Sequence, residues 1–205
     1  MAVVRPRVGV VVLAAGRGSR FGDERPKTLA RLGRRPLVAH AVAAARASGL
    51  RPVVVVVGCQ AAEVAAAAGV GIEVLIENPN WEEGMSTSLR AGLAAILADR
   101  SITAVSVALA DQPRIGAEAH RRLADAHQQG GAELAVATYE GKRGHPVLIG
   151  RTLFAEAMRM TGDQGARTLL AAYPVVEVPC DGTGEATDVD TRADLAALEG
   201  GSPAG

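Results

Sequence analysis

The sequence predicts one α/β domain, a three-layer α/β/α sandwich around a mixed but mostly parallel sheet. Strand-like and helix-like segments alternate along most of the 205 residues, which is typical of a parallel sheet covered on both faces. Residues 8–14 and 53–57 are almost continuously apolar, as expected for strands that are buried on both sides. We expect the domain to span residues 1–199, with residues 200–205 as a flexible tail.

Composition excludes several classes of function. The 22 basic and 22 acidic side chains balance, so the chain offers no overall positive field for a nucleic acid. No apolar stretch has the length of a membrane span, and the apolar start is too short for a signal peptide. Cys59 and Cys180 lack metal-site spacing, which favours reduced thiols in a cytoplasmic protein.

The first predicted strand is followed by a loop rich in glycine and in positive charge. The loop carries Gly16, Gly18, Gly22, Arg17, Arg20, Arg25 and Lys27. Glycines let a backbone approach a ligand closely and point several N–H groups into one concavity. Cations beside them neutralise bound phosphate. The loop therefore indicates a nucleotide phosphate site, and the alternative is a plain glycine turn with solvated arginines.

Two common nucleotide-binding loops do not fit this segment. A Walker A loop requires Lys-Ser or Lys-Thr directly after its last glycine, and Gly22 is followed by Asp23. A dinucleotide-binding turn requires a helix that begins at the glycines and a carboxylate after the second strand. Pro26 interrupts that helix, and residues 58–60 contain no carboxylate. The dinucleotide interpretation is therefore weak.

The remaining elements follow from hydrophobic periodicity and from end signals. A helix is predicted over residues 36–48, because its apolar positions lie on one side and Gly49 ends it. The other predicted helices are 60–68, 88–97 and 166–172, and the other strands are 71–77, 103–110, 133–138 and 175–178. Ser86 or Thr87 could cap the helix over 88–97.

Acidic residues follow two of the predicted strands. Asp111 comes directly after the strand over 103–110, at the sheet edge where open α/β sheets bind ligands. Because Mg²⁺ prefers carboxylates together with substrate phosphates, Asp111 is a candidate magnesium ligand, with a helix cap as the alternative. Asp188, Asp190 and Asp194 lie near the end of the chain, where they could simply be caps.

The segment Leu13-Ala14-Ala15-Gly16-x-Gly18-x-Arg20-Phe21-Gly22, with Lys27 downstream, resembles the signature loop of the molybdenum cofactor cytidylyltransferases and related nucleotidyltransferases. The resemblance implies the nucleotide-diphospho-sugar transferase type of fold. It also implies magnesium-dependent transfer of CMP from CTP to the terminal phosphate of molybdenum-carrying molybdopterin, with release of pyrophosphate. The residues that would contact the nucleotide are Leu13, Ala14, Ala15, Gly16, Arg17 and Gly18, with Arg20 and Lys27 on the outer phosphates.

Further segments extend the resemblance over nearly the whole chain. The stretch from Asn78 to Leu89 is similar to the family's base pocket, in which Gly84 and Ser88 would contact the pyrimidine. Asp111-Gln112-Pro113 matches the metal motif, and Asp190 would be the second metal carboxylate, with Asp188 less favoured. Gly144-His145-Pro146 resembles a substrate-side loop that holds a second phosphate. Asp163 belongs to a similar companion loop, or it simply opens a helix.

The resemblance favours CTP over GTP. The loop contains Leu-Ala-Ala-Gly where guanylyl relatives tend to have Leu-Ala-Gly-Gly, and the methyl group of Ala15 narrows the space beside the base. Two alternatives from other classes stay open. One is an NAD(P)H-dependent oxidoreductase of the same fold that acts on nicotine-derived pigments, similar to nicotine blue reductase. The other is a non-catalytic carrier that delivers molybdenum cofactor to a hydroxylase-type molybdoenzyme.

Overall fold

The computed structural model describes residues 7–22, 24–163 and 165–200. The strands are β1 (Arg7–Ala14), β2 (Arg31–Leu32), β3 (Arg35–Pro36), β4 (Val53–Val57), β5 (Val74–Glu77), β6 (Ile102–Leu109), β7 (Leu134–Tyr139), β8 (Lys142–Gly150) and β9 (Val176–Pro179). The helices are α1 (Leu37–Ala47), α2 (Ala61–Ala68), α3 (Met85–Ile96), α4 (Ala117–Gln128), α5 (Phe154–Ala157), α6 (Arg167–Ala172) and α7 (Arg192–Gly200). Of the expected tail, Gly200 ends α7, and residues 201–205 lie outside the described residues.

Seven strands form one sheet in the order β5-β4-β1-β6-β8-β7-β9, and β2 and β3 form a separate hairpin. The strands β5, β4, β1 and β6 are parallel neighbours. β8 runs antiparallel to β6 and β7, and β9 pairs parallel with β7. The prediction of a mixed, mostly parallel sheet is therefore confirmed.

The side chains of β1 alternate between two cores. Val11 and Leu13 pack in a core shared with α3, α5 and α6. Val10 and Val12 face the opposite side, where they pack with α1 and α2, and α4 covers the rest of that face. Burial of each such valine or leucine stabilises the fold by about 1.5–3 kcal/mol. Helices thus cover both faces of the sheet, and none in the described part of the chain is long and apolar enough to cross a membrane.

The structure corrects the prediction that His145 lies in a loop. Residues 142–150 form β8, which pairs with β7 through a hairpin. Glu140 and Gly141 both have positive φ angles, 50° and 73°, as in the two-residue turns that join hairpin strands. The apolar stretch after Pro146 is buried between β6 and β7. His145 therefore lies in a strand of the sheet and not in a loop.

The helix predicted from Ser88 begins three residues earlier, at Met85. Its first two N–H groups have partners in a distant loop, because Met85 N donates to Asp163 Oδ1 (3.1 Å) and Ser86 N to the Gly162 carbonyl (3.2 Å). Ser86 and Thr87 lie inside the helix and do not cap it. Neither does Asp111 cap the next helix, since Gly116 precedes α4 without a side-chain cap.

The carboxyl ends of β1 and β6 lie side by side, which brings their following loops together. Ala110 N donates to the Leu13 carbonyl (3.0 Å), so the segments that follow β1 and β6 begin in contact with each other. The segment before α7 then returns to the same edge, where Val189 N donates to the Asp111 carbonyl (2.9 Å). Three segments that are far apart in sequence thereby meet at one edge of the sheet.

Candidate active site

A cavity of about 840 Å³ opens at the carboxyl ends of β1 and β6. The predicted site residues that line it are Leu13, Ala14, Ala15, Gly16, Arg17, Gly18, Arg20, Lys27, Gly84, Ser88, Asp111, Asp163 and Asp190. His145 lies outside this cavity, and so do Gly22 and Arg25 of the glycine loop, of which Arg25 pairs with Glu63 at 3.0 Å. The fold therefore brings together residues that the sequence could assign only one segment at a time.

The glycine loop folds back onto itself. Lys27 N donates to the Arg17 carbonyl (3.0 Å), which closes the loop next to Gly18. Gly18 has a left-handed backbone, with φ at 73°, and a Cβ there would lie 2.5 Å from Lys27 Cγ. A Cβ on Gly16 would meet no protein atom within 4 Å. Gly18 thus makes room for the lysine stem, whereas Gly16 leaves open space on the cavity side.

Lys27 forms the centre of a charged cluster. Its Nζ lies 2.6 Å from Asp111 Oδ2 and 2.7 Å from Asp190 Oδ1. Arg20 Nη1 contacts the other oxygen of Asp190 at 3.1 Å. The Lys27 side chain is 12% exposed and the Arg20 side chain 79% exposed. Lys27 therefore forms the enclosed bridge between the two carboxylates, and Arg20 adds an outer contact.

The surroundings of these groups shift their pKa values. Burial disfavours the charged form of Lys27, but its ion pairs with Asp111 and Asp190 leave its pKa above the ordinary value. The hydrogen bond from Lys27 lowers the pKa of Asp190. Burial raises the pKa of Asp188, against the effect of a hydrogen bond from Gln112. Lys27 is therefore cationic and Asp190 anionic at neutral pH.

The residues around Lys27 fit a hard divalent cation. Asp111 Oδ1 is buried and has no hydrogen-bond partner in the described part of the chain. A second carboxylate, Asp190, lies across the same ammonium group. Within the described residues, no group of three or more His, Cys, Asp or Glu side chains could hold a metal by itself. Magnesium sites often combine one or two carboxylates with water and substrate phosphates, so this oxygen set suits that ion.

The acidic residues near the end of the chain have distinct positions. Thr191 and Asp194 form a capping box, in which Asp194 N donates to Thr191 Oγ1 (3.2 Å) and Thr191 N donates to Asp194 Oδ2 (2.7 Å). Asp194 Oδ2 also accepts from Asp190 N (3.1 Å). Asp188 accepts from Gln112 Nε2 (2.7 Å). Thr191 and Asp194 together cap α7, and the Asp190 carboxylate is left to face Lys27.

Buried hydrogen bonds hold Ser88, which lines the cavity. Asn78 Nδ2 donates to Thr87 Oγ1 (2.8 Å) and to Ser88 Oγ (3.0 Å). Because Ser88 Oγ accepts from Asn78, its own proton is available to a ligand. Asn78 was predicted to lie in the base pocket but had no assigned role. The signal in the sequence was an amide side chain directly after a predicted strand, and the structure shows that this amide is buried.

Ala15 packs next to Gly58, which directly follows β4. A dinucleotide-binding protein carries its ribose-binding carboxylate after the corresponding strand. A Cβ on Gly58 would lie 2.9 Å from Ala15 Cβ and 2.7 Å from Trp81 Cβ. The end of β4 is thus closed by small and apolar groups. Trp81, Glu82 and Glu83 also line the cavity. They belong to the segment that resembles the base pocket, although none of the three was assigned a contact of its own from the sequence.

A second cavity of about 480 Å³ adjoins the first and contains His145. Burial lowers the pKa of His145 to about 4, so its ring is neutral at neutral pH. The cationic side chains of this cavity are Arg143 and Arg167, and Arg143 also pairs with Glu177 at 2.8 Å. Met85, Leu109, Asp163, Arg167 and Asp188 line both cavities. Both arginines lie in segments that the sequence singles out, Arg143 beside His145 and Arg167 in the companion loop, but neither was assigned a role from the sequence.

Comparison with known proteins gives matches over most of the chain. Residues 10–178 match the model of the MobA-like NTP transferase domain. The chain is 35% identical over 198 residues to nicotine blue oxidoreductase of Paenarthrobacter nicotinovorans, covering 91% of this chain and 93% of that protein. It is 41% identical over 130 residues to the bifunctional protein GlmU of Kineococcus radiotolerans, which covers 63% of this chain but only 26% of GlmU.

Solved structures have the same fold. The crystal structure of Rv0371c from Mycobacterium tuberculosis H37Rv superimposes with a TM-score of 0.82 and 32% identity, covering 96% of this chain and 98% of that one. Its complex with manganese gives a TM-score of 0.79 and 30% identity, covering 96% and 100%. These likenesses confirm the predicted α/β nucleotidyltransferase fold.

Proposed function

Because the chain belongs to the MobA-like NTP transferase family, we propose that it is a magnesium-dependent cytidylyltransferase. It transfers CMP from CTP to the terminal phosphate of molybdopterin carrying molybdenum, and it releases pyrophosphate. One observation carries the proposal, namely that the glycine loop, Lys27, Asp111 and Asp190 line one cavity. Nucleotidyl transfer is the activity that the family supports, and the nucleotide and the acceptor are the specific parts of the proposal.

The proposed reaction requires mainly that the protein position the two substrates and stabilise the negative charge on the phosphates. An oxygen of the acceptor phosphate attacks the α-phosphorus in line and forms the new P–O bond, while the bond from that phosphorus to the pyrophosphate oxygen breaks. Lys27, Arg20 and the backbone N–H groups of residues 15–18 hold the β- and γ-phosphates. They stabilise the negative charge that grows on the departing pyrophosphate.

Asp111 and Asp190 would hold the magnesium ion, which would neutralise and orient the reacting phosphates. The buried free oxygen of Asp111 supports this assignment. The network around Thr191 and Asp194 fixes the backbone on which Asp190 is carried. Both carboxylates are therefore held in place without the ion.

The choice of CTP rests on the base end of the cavity. The Ala15 methyl group and the Trp81 side chain both pack next to Gly58, and both residues line the cavity. We propose that the Ala15 methyl group narrows the space beside the base, which suits a pyrimidine. Ser88 is oriented by Asn78, so its hydroxyl can donate to a base acceptor such as the cytosine carbonyl. Gly84 lines the same cavity, and a Cβ on it would collide with the Gly162 backbone, so a glycine is needed for the two loops to pack there.

The acceptor would lie in the second cavity, which shares a wall with the first. Arg143 and Arg167 supply positive charge there, and His145 supplies a neutral ring. Because Asp163 and Asp188 border both cavities, an acceptor phosphate at this junction would face the nucleotide. The chemistry requires a phosphorylated small molecule, and a molybdoenzyme would receive the product.

The test is pyrophosphate release from CTP in the presence of Mg²⁺ and molybdopterin. Release is expected with CTP and much less with GTP or ATP. Asp111→Asn should abolish release while leaving the melting temperature nearly unchanged, because Asp190 still pairs with Lys27. Joint loss of activity and folding would instead assign Asp111 a structural role. Binding of the acceptor without turnover would favour a cofactor carrier.

A second candidate is an NAD(P)H-dependent oxidoreductase, favoured by the relative named nicotine blue oxidoreductase. Two features argue against it. Residues 58–60 supply neither a ribose-binding carboxylate nor an arginine for a 2′-phosphate. Hydride transfer also has no use for the carboxylate pair on Lys27.

A further inference from the structure

We infer that Lys27 is a resident cation which occupies the carboxylate pair until a triphosphate arrives, so that divalent metal binding depends on the nucleotide. This inference deepens the proposed function and rests on it for the identity of the nucleotide. It assigns Lys27 a positioning role toward the metal ligands in addition to its phosphate contact.

The geometry places the ammonium group where a metal ion would have to approach. Lys27 Nζ lies within 2.7 Å of one oxygen from each carboxylate. The remaining oxygen of Asp111 is enclosed and has no partner in the described part of the chain. A cation that bridges the two carboxylates through Asp111 Oδ2 and Asp190 Oδ1 must therefore displace the ammonium group first.

The loop holds the lysine in this position. The left-handed Gly18 backbone lies against the Lys27 stem, and Lys27 N is tied to the Arg17 carbonyl. Only the outer part of the side chain is then free to turn. Since the same loop lines the cavity, a bound triphosphate would offer the ammonium group a new anionic partner.

Electrostatics favours replacement of the Lys27 ammonium group by a metal ion only after the triphosphate has bound. Without the ammonium group, two facing carboxylates would repel each other, and the pair would bind a divalent ion strongly. When the ammonium group is present, the divalent ion must compete with it for the two carboxylates. A triphosphate that attracts Lys27 therefore strengthens metal binding, and by linkage the metal strengthens triphosphate binding to the same extent.

Arg20 offers a matched control. It is also cationic and also contacts Asp190, but it is 79% exposed and forms no ion pair with Asp111. Its removal changes the local charge as much as removal of Lys27 does. It leaves the bridge between the carboxylates intact.

The experiment measures Mn²⁺ binding by electron paramagnetic resonance, first without nucleotide. Wild type is expected to bind weakly, and Lys27→Met about tenfold or more tightly, which corresponds to roughly 1.4 kcal/mol. Arg20→Met should stay within about threefold of wild type, because exposed ion pairs contribute little. Equal affinity of Lys27→Met and wild type would overturn the inference, and so would an equal gain in both variants.

A second arm adds CTP. Wild type should then gain more in Mn²⁺ affinity than Lys27→Met does, and equal gains would contradict the inference. Circular dichroism with and without Mn²⁺ checks folding, and Lys27→Gln replaces Lys27→Met if the latter does not fold. Failure of CTP to bind would contradict the cytidylyl proposal alone, because the nucleotide-free comparison still decides the role of Lys27.

Discussion

At the scale of single residues, the chemistry of the site depends on one ammonium group. Lys27 is largely buried, yet its two carboxylate partners keep its pKa above the ordinary value. A buried charge persists only when it is paired. The two carboxylates therefore keep Lys27 positively charged at the edge of the sheet, next to the loop proposed to bind phosphates.

Lys27→Ala is expected to weaken CTP binding by about 1.5–3 kcal/mol, the contribution of a charge-assisted hydrogen bond. CMP binding should change much less, because CMP lacks the outer phosphates. The measurement is calorimetric titration of both nucleotides in EDTA, which removes any effect through metal ions. Equal weakening for CTP and CMP would place Lys27 away from the outer phosphates.

Gly18→Ala is expected to destabilise the protein by about 1–2 kcal/mol, the cost of a left-handed backbone for a residue with a Cβ. The new methyl group would also collide with the Lys27 stem, so CTP binding should fall. Gly16→Ala is the matched control, because a Cβ there meets no protein atom within 4 Å. Urea unfolding should separate the two variants, and equal stability would contradict the strained role of Gly18.

At the scale of elements, the start of α3 is joined to the loop before α6. Met85 N donates to Asp163, and a Cβ on Gly84 would lie 2.5 Å from the Gly162 backbone. The segment proposed to contact the base therefore depends on a loop that also borders the second cavity. Asp163 is thus a cap for a distant helix rather than for the helix that follows it.

Asp163→Ala should lower the free energy of unfolding by about 0.5–2 kcal/mol, as loss of other helix caps does. It should also weaken CTP binding, since Gly84 and Ser88 lose a fixed helix start. Asp163→Asn keeps an acceptor oxygen and should retain most of the stability. Denaturant unfolding with CTP titration checks both effects, and an unchanged Asp163→Ala variant would show that the cap is not needed.

Elements with strong local signals could be predicted from the sequence, and elements defined by distant partners could not. The valines of residues 53–57 form β4 as predicted, because burial on both faces leaves a continuous apolar run. The true start of α3 depends on Asp163, far along the chain. β8 was missed because Gly144 and Pro146 are typical of loops, whereas the Glu140–Gly141 turn and the buried stretch after Pro146 place the segment in the sheet.

The same limit applies to the candidate site. Asp111 could be singled out alone, because a carboxylate after an inner strand is a local pattern. That Asp190 rather than Asp188 would face Lys27 depends on the Val189 bond to Asp111 and on the cap at Asp194. The capping box of Thr191 and Asp194 is a local pattern. The Val189 contact joins segments that are far apart in the sequence, and no local pattern contains it.

At the scale of the whole molecule, a buried histidine makes stability depend on pH. His120 is a buried residue of α4, and its Nδ1 is 2.8 Å from Oγ of Ser106 in β6. Burial lowers its pKa from 6.5 to about 4. The unfolded chain therefore binds a proton at a higher pH than the folded protein does, so stability is complete above pH 6.5 and falls as the pH drops toward 4.

Acidification from pH 7 to 4 should thus cost on the order of 3 kcal/mol through His120. Urea unfolding at several pH values measures the slope. His120→Asn should remove part of it and leave a remainder from His145, whose pKa burial also lowers to about 4. A slope that is unchanged in His120→Asn would contradict the assignment.

The central claim is that the whole cavity serves a nucleoside triphosphate and a divalent ion rather than a nicotinamide cofactor. Calorimetric titration with CTP and with NADPH, each with and without Mg²⁺, tests it most directly. CTP should bind, Mg²⁺ should strengthen that binding, and NADPH should give no binding at comparable concentration. Asp190→Ala should lose the magnesium effect and keep most of the CTP affinity. Strong NADPH binding without a magnesium effect, together with no CTP binding, would contradict the claim.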